Sequence, residues 1–210
     1  MAGTYVGNFR IGNNKLDRSI LIFNMGTAKK CPSRKLGLCK VCKDCYAKKA
    51  EVQYKDHVIN FRERQAKYWL KNTEWPIIAD LSAITFRRKY LRHFRYNESG
   101  DFYGQECITK MNWIADFLQT KCDITTYGYT ARSDLDFSKA KFIVRGSGWE
   151  AKDGQTTVLP KDCAPFKGKQ IQFKGKNWYV CPGEGCGTDC LMCMSTGRFP
   201  KLRNIGFVKH

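Results

Sequence analysis

Apolar and polar positions follow two different rhythms along this chain. Residues 19–24 (SILIFN) place four consecutive apolar residues between polar flanks, the pattern of a short strand buried on both faces. From Tyr46 to Lys71 there is no glycine or proline, and Ala, Lys, Glu, Gln and Arg dominate, which predicts one long helix. Val52, Ile59, Ala66 and Leu70 would form its apolar face. A second helix is predicted from about Pro76 to Tyr90, with the proline at its start. Strands follow at 93–99 (HFRYNES), 124–130 (ITTYGYT) and 142–148 (FIVRGSG). Between the first two, residues 104–119 carry Cys107, Ile108, Met111, Ile114, Ala115 and Leu118 on one helical stripe. Residues 133–140 (SDLDFSKA) read as a short helical or loop connection.

Strand, helix, strand, connection, strand is the order of an α/β fold with a parallel sheet. At 210 residues the chain is shorter than the ~250 of a complete barrel, leaving a partial parallel (β/α) barrel or an open sheet. Such sheets carry their functional loops beyond the carboxyl ends of the strands. Those ends are a first cysteine loop, Ser99-Gly100-Asp101, Thr130-Ala131-Arg132-Ser133 and Gly146-Ser147-Gly148. Ser99, Gly100, Asp101, Thr130, Arg132 and Ser133 are therefore candidates for a substrate or cofactor rim. After Trp149 glycine and lysine become frequent, and IQFKG and NWYV predict small antiparallel strands. The expected division is an α/β domain over 1–149 with a Gly-rich, cysteine-rich C-terminal appendage over 150–210 packed on it.

Hydrophobic residues make up 42% and aromatics 13%, enough for a real core and too many for a disordered tail. No apolar run approaches the ~20 residues of a membrane helix, and residues 1–15 show no secretory apolar region. The expectation is a cytoplasmic protein with no membrane partner. The formal charge of +18 changes the picture more, because it calls for an anionic partner, nucleic acid first among them. The helix at 47–71 mixes Lys48, Lys49, Lys55, Arg62, Arg64 and Lys67 with Tyr54, Tyr68 and Trp69, which suits phosphate contact and base stacking. A solvated basic helix with its aromatics turned inward is the competing reading.

Eleven cysteines in a chain without an export signal read as metal ligands more readily than as disulfides, because eight of them form two tight quartets. The first is Cys31-x7-Cys39-x2-Cys42-x2-Cys45. Three thiols at successive x2 spacings can fold round one face of a small inorganic core, as ferredoxin-type loops hold [4Fe–4S] clusters. Zinc sites more often pair two Cys-x2-Cys knuckles across a longer stretch. The second is Cys181-x4-Cys186-x3-Cys190-x2-Cys193, with Gly183, Gly185 and Gly187 letting the backbone curl around a ligand. The leading expectation is two iron–sulfur clusters, both [4Fe–4S], and the alternative is two zinc ions. Two such quartets would take about four from the formal charge and leave the chain strongly basic. Cys107, Cys122 and Cys163 lack partners at ligand spacing; Cys107 reads as a core residue, and Cys163 is a possible replacement ligand in the second quartet.

The string NMGTAKKCPSRKLGLCKVCKDCYAKKAEVQY, followed by RYNESGDF, YTARSDL and CPGEGCGTDCLMC, resembles a bacteriophage family called gene product eighty-eight. The likeness runs from about Leu21 to Met194 and implies a phage protein at work in host cytoplasm. More distantly, a strand followed by Cys39, Cys42, Cys45 and Tyr46 is similar to radical S-adenosylmethionine proteins, as is the x3-x2 spacing of Cys186, Cys190 and Cys193. That likeness implies S-adenosylmethionine as a cofactor. It departs from the pattern in the x2-x2 spacing of the first loop and in Cys31, whose thiol would close the cluster to an added ligand.

Three functions follow from these residues. The first is an iron–sulfur protein with an electron-transfer or cluster-supported nucleic-acid role. The second is a radical S-adenosylmethionine-type enzyme acting on nucleic acid, and the third a zinc-stapled nucleic-acid-binding module. No catalytic residue is identified: His57, His93 and His210 are scattered, and Gly146-Ser147-Gly148 is too short for a phosphate loop. Asp101 reads either as a base or cofactor contact or as a helix-capping turn residue, and Arg132 either as an anion ligand or as half of a salt bridge.

Overall fold

A computed structural model describes residues 3–183, 187, 190–194 and 203–209. They form a ten-stranded sheet in the order β1-β2-β3-β4-β5-β6-β7-β10-β9-β8. The strands are β1 (Thr4–Val6), β2 (Phe9–Ile11), β3 (Ile20–Phe23), β4 (His93–Tyr96), β5 (Thr125–Thr130), β6 (Ile143–Ser147), β7 (Gln155–Leu159), β8 (Gln170–Phe173), β9 (Lys176–Val180) and β10 (Asn204–Val208). From β3 through β7 and β10 to β9 every pairing is parallel. The antiparallel pairs β1–β2, β2–β3 and β8–β9 lie at the two edges. The sheet does not close, so of the two α/β arrangements that the chain's pattern allows, this is the open one. Residues after Trp149 continue it: β7 and β10 extend the parallel part, and β8 with β9 makes the hairpin that the aromatic runs predict.

Four helices accompany the sheet: α1 (Pro32–Lys35), α2 (Tyr46–Lys71), α3 (Glu74–Arg87) and α4 (Glu106–Cys122). Parallel strands need both faces covered, and here the two faces are covered differently. On one, Leu21, Phe23, Phe94, Tyr96 and Val144 pack in a single cluster with Trp69 of α2, Ile77 and Leu81 of α3, and Met111, Ile114 and Leu118 of α4. Cys107 belongs to this cluster and accepts a hydrogen bond from Trp69 Nε1 at 3.4 Å, as its place on the helical stripe predicts. On the other, Ile20, Ile22, Tyr127 and Ile143 pack with Leu16 and with Leu191, Cys193 and Met194. The second cysteine segment thus lies across a face that the helices leave open.

Helix ends shift by a few residues from the pattern. α3 starts at Glu74, and α4 runs on to Cys122, where Asp123 adopts a left-handed conformation (φ 53°, ψ 43°) that stops it. The larger difference is in α2, which is not one straight rod. Its backbone breaks at Lys55 (φ 29°, ψ −118°). A straight helix would hold residues 47 and 62 roughly 22 Å apart at 1.5 Å per residue, yet Arg62 donates to the Ala47 carbonyl at 2.9 Å. The two halves must therefore fold back on each other. The break also explains why the expected apolar face fails: Val52 and Leu70 are exposed, while Ala47, Glu51, Arg62, Gln65 and Trp69 are buried.

Arg62 and Glu51 form a buried ion pair at 2.7 Å that staples the two halves of α2. Breaking such a pair leaves a charge without a partner in a dry site, which costs far more than the pair itself contributes. Arg62→Met should lower the stability of the chain by about 3–5 kcal/mol. The same change in a Glu51→Gln background should cost much less. Urea denaturation of the two single variants and the double variant measures the coupling, and a coupling near zero would rule out the stapling role.

Candidate metal centre

The carboxyl ends of β3, β4, β5 and β6 converge on one polar rim. Asn24, just past β3, accepts the Ser99 N–H at 2.7 Å and donates to Gln65 at 3.0 Å. Gly100 has φ +77°, and a Cβ there would stand 2.6 Å from the Gly26 nitrogen, so only glycine lets the β4 loop approach the β3 loop. Asp101 is fully buried. It accepts the Thr130 hydroxyl at 2.7 Å, the Ala131 N–H at 2.8 Å and the Phe102 N–H at 2.9 Å. Burial pushes its carboxyl above the usual range, and these donors together with Ser33 hold it down. Asp101 therefore ties the β4 loop to the β5 loop and caps no helix.

Arg132 is buried and forms a double ion pair with Asp134, 2.7 Å on each arm. It also donates to the carbonyls of Phe102 and Tyr103. This is the ion-pair reading of Arg132, with the guanidinium inside the rim and its carboxylate partner at the surface. Ser99 is buried, with its hydroxyl 3.4 Å from Glu51, whereas Ser133 is exposed and serves the turn through its N–H to the Ala131 carbonyl.

The first cysteine loop lies over this rim. Lys40 stands against Gly148 at the end of β6, and Cys31 is close enough to Asp101 for the carboxylate to push its thiol up. Burial is the larger cause, opposed by Ser33, whose hydroxyl is 3.1 Å from the sulfur. Cys39 is also pushed up, by burial and by its neighbour Cys42. Cys31, Cys39, Cys42 and Cys45 are all half-buried and free of disulfides. Among the described residues no three His, Cys, Asp or Glu side chains converge as a metal shell. The donor set itself fits a thiolate-bound metal: four sulfurs on one loop, bracketing a four-residue helix and a short 3-10 turn.

Of the second quartet, Cys186 lies outside the described residues. Cys181 follows β9, and Cys190 and Cys193 lie on the helix-free face. Burial pushes the Tyr179 phenol up, and Cys190, Cys181 and Cys193 push it the same way. Burial also raises the Cys193 thiol, opposed by a hydrogen bond with Tyr129 and by the charges of Arg145 and Arg95. Arg145 anchors the segment by donating to the Met192 carbonyl at 3.0 Å and the Cys193 carbonyl at 3.4 Å. Cys163 packs instead with Leu159 and Val180.

Arg95 joins the two groups. It donates to the Tyr46 hydroxyl at 3.0 Å, one residue after Cys45, and Tyr46 donates in turn to the Glu98 carbonyl at 2.6 Å. Its guanidinium carbon stands 5.1 Å from the centre of the Tyr129 ring, whose hydroxyl meets Cys193. Its Nε is buried without an acceptor. Tyr46 entered only through the radical S-adenosylmethionine likeness, and Arg95, Tyr129 and Arg145 were passed over. The available signal was a cation at the centre of strands whose neighbours mark them as buried, in HFRY and FIVRG.

Fold and site define an open, mostly parallel α/β protein with one cysteine loop over the carboxyl rim and another across the helix-free face. A family model described as gene product 88 matches residues 7–147, more than half of the chain, and the chain belongs to that family. The match takes in the whole first cysteine loop and ends at the last residue of β6. No curated protein and no solved structure matches. No helix among the described residues is long and apolar enough to cross a membrane.

Asp101 gives a direct check on the rim. In Asp101→Asn one carboxylate oxygen becomes an NH2 group facing an N–H or O–H donor, which strands buried hydrogen-bonding groups. The variant should lose about 1–3 kcal/mol in chemical denaturation. A neutral substitution would show that the Thr130, Ala131 and Phe102 donors do not depend on the carboxylate.

Proposed function

We propose that this is a phage-encoded iron–sulfur protein of the host cytoplasm that carries one-electron chemistry on two cysteine-bound clusters. Cys31, Cys39, Cys42 and Cys45 would hold one at the carboxyl rim. Cys181, Cys186, Cys190 and Cys193 would hold the other on the helix-free face. Such clusters supply reversible storage of a single electron at a potential set by nearby charge and hydrogen bonds.

The observation that carries this reading is Arg95. A half-buried guanidinium whose Nε–H is buried without an acceptor costs free energy unless an anion completes it, and this one faces Cys193 and contacts the residue after Cys45. A metal core bound by four thiolates carries net negative charge and sulfur acceptors, so it meets both needs. The spacing of the first quartet favours iron–sulfur over zinc. Tyr46, Tyr129 and Tyr179 then serve as positioning residues that hold the ligand segments.

Anaerobic purification followed by iron, acid-labile sulfide and zinc analysis tests the proposal. About eight irons and eight sulfides per chain are expected for two [4Fe–4S] clusters, with half lost in Cys39→Ala and half in Cys193→Ala. A colourless protein with two zinc ions and no iron would overturn it. Arg95→Gln should lower the reduction potential of the clusters by an amount on the order of tens of millivolts, because the cation favours the more negative reduced state.

A further inference from the structure

At the opposite rim, the amino ends of the strands, the chain gathers cations and aromatic rings. α3 ends at Arg87, and the connection through Arg88, Lys89 and Arg92 enters β4. α4 ends beside it, with Lys121 in its last turn. Arg88, Lys89 and Lys121 line one cavity together with Phe86 and Phe117. Its volume of about 210 Å³ is below the ~300–1,000 Å³ of sites that enclose a drug-sized ligand. It therefore suits a hold on part of a longer chain lying across the surface.

The charge here is more than solubility requires. None of Arg87, Arg88, Lys89, Arg92 and Lys121 is in an ion pair among the described residues. Helix C-termini favour nearby cations, which accounts for Arg87, the C-cap Arg88 and Lys121; Arg92 donates to the Lys89 and Leu91 carbonyls, and Lys89 has neither role. Asp123, two residues after Lys121, occupies the left-handed turn after α4. Apolar side chains interleave with the cations. Phe86 is 74% exposed with the Lys89 ammonium 5.0 Å from its ring centre, and Tyr90 is 49% exposed.

We propose that this rim binds single-stranded nucleic acid, with phosphates on Arg87, Arg88, Lys89, Arg92 and Lys121 and an unpaired base stacked on Phe86. Exposed ring faces beside a row of cations match a strand whose bases are free to stack, and a duplex hides those faces. The alternative surface on α2 is less well equipped. Trp69 is buried there, Tyr68 gives its hydroxyl to Asp80 at 2.6 Å, Arg62 is inside the fold, and Lys30 pairs with Glu63. The site stands apart from both cysteine quartets, so it does not rest on the metal reading.

Fluorescence anisotropy of the full chain with a labelled single-stranded oligonucleotide tests it across a range of salt concentrations. Roughly five phosphate contacts predict a log–log slope near −3.5. Replacing Arg88, Lys89 and Lys121 together by glutamine should reduce that slope by about 2. Phe86→Ala should weaken binding about 5- to 100-fold. Phe86 and Lys89 are exposed, so Phe86→Ala and Lys89→Gln singly leave the fold intact and keep the test valid if the triple variant does not fold. Loss of binding in Lys48→Gln/Lys55→Gln/Lys67→Gln with no loss in the rim variants would move the site to α2 and overturn the proposal. Equal binding of a duplex with no effect of Phe86→Ala would overturn the single-strand assignment. Tighter binding of an acidic phosphopeptide would assign the rim to a protein partner.

Discussion

One carboxylate holds the rim together. Glu51 Oε1 receives the Arg62 guanidinium at 2.7 Å, the Ala28 N–H at 2.8 Å and the Ser99 hydroxyl at 3.4 Å. Those three donors come from α2, from the loop after β3 and from the loop after β4. A buried carboxylate without such partners is costly to hold in the fold. With all three it fixes where α2 folds back on itself, and so where Cys45 and Tyr46 stand against Arg95. The placement of the first cysteine loop thus depends on a pair of charged residues, Glu51 and Arg62, outside the loop itself.

This dependence explains what could and could not be read from the chain. β3, β4, β5 and β6 were legible from alternation or short apolar runs, whereas β2 was not, although Phe9 and Ile11 belong to the large core. The bounds of α2 were legible too, since nothing in its composition interrupts a helix. Its reversal at Lys55 was not, because the cause is tertiary: Arg62 reaching back to Ala47 and Glu51. The buried polar stripe of Arg62 and Gln65 carries no hydrophobic signal. β1 and β2 have only three residues each, too few for a period to register. β7 (QTTVL) and β10 (NIGFV) hold their places by pairing with each other in parallel, a contact between residues about fifty positions apart.

The rim was legible as a set of strand ends but not as a network. Turn residues such as Ser99, Gly100 and Asp101 look alike whether they meet solvent or each other. What distinguishes them is burial, and burial here comes from the loops converging. Asp101 and Arg132, the two charged residues of that rim, turn their charge inward to bind loop to loop. The second quartet presented the opposite difficulty. Its spacing was plain, but the face it covers depends on which side of the sheet the helices occupy. Helices on one side only leave Ile20, Ile22, Tyr127 and Ile143 to be covered by something else, and Leu16, Leu191, Cys193 and Met194 pack on them.

Parallel strands also give the molecule a direction. Helices that return from the carboxyl ends of the strands to the amino ends place their own C-termini, with their partial negative charge, at the amino rim. Cations collect there with little cost, while the carboxyl rim holds the first cysteine loop. β5, six residues long, separates the two ends by about 20 Å at ~3.3 Å per residue. The proposed clusters and the proposed nucleic-acid face therefore lie too far apart for one nucleotide to touch both. A single strand several nucleotides long would have to run along an edge of the sheet, past β1 or β8, to join them. The antiparallel β1–β2 edge is the better placed of the two: it pairs with β3, next to β4, and so connects the cysteine loop after β3 with the basic segment that leads into β4.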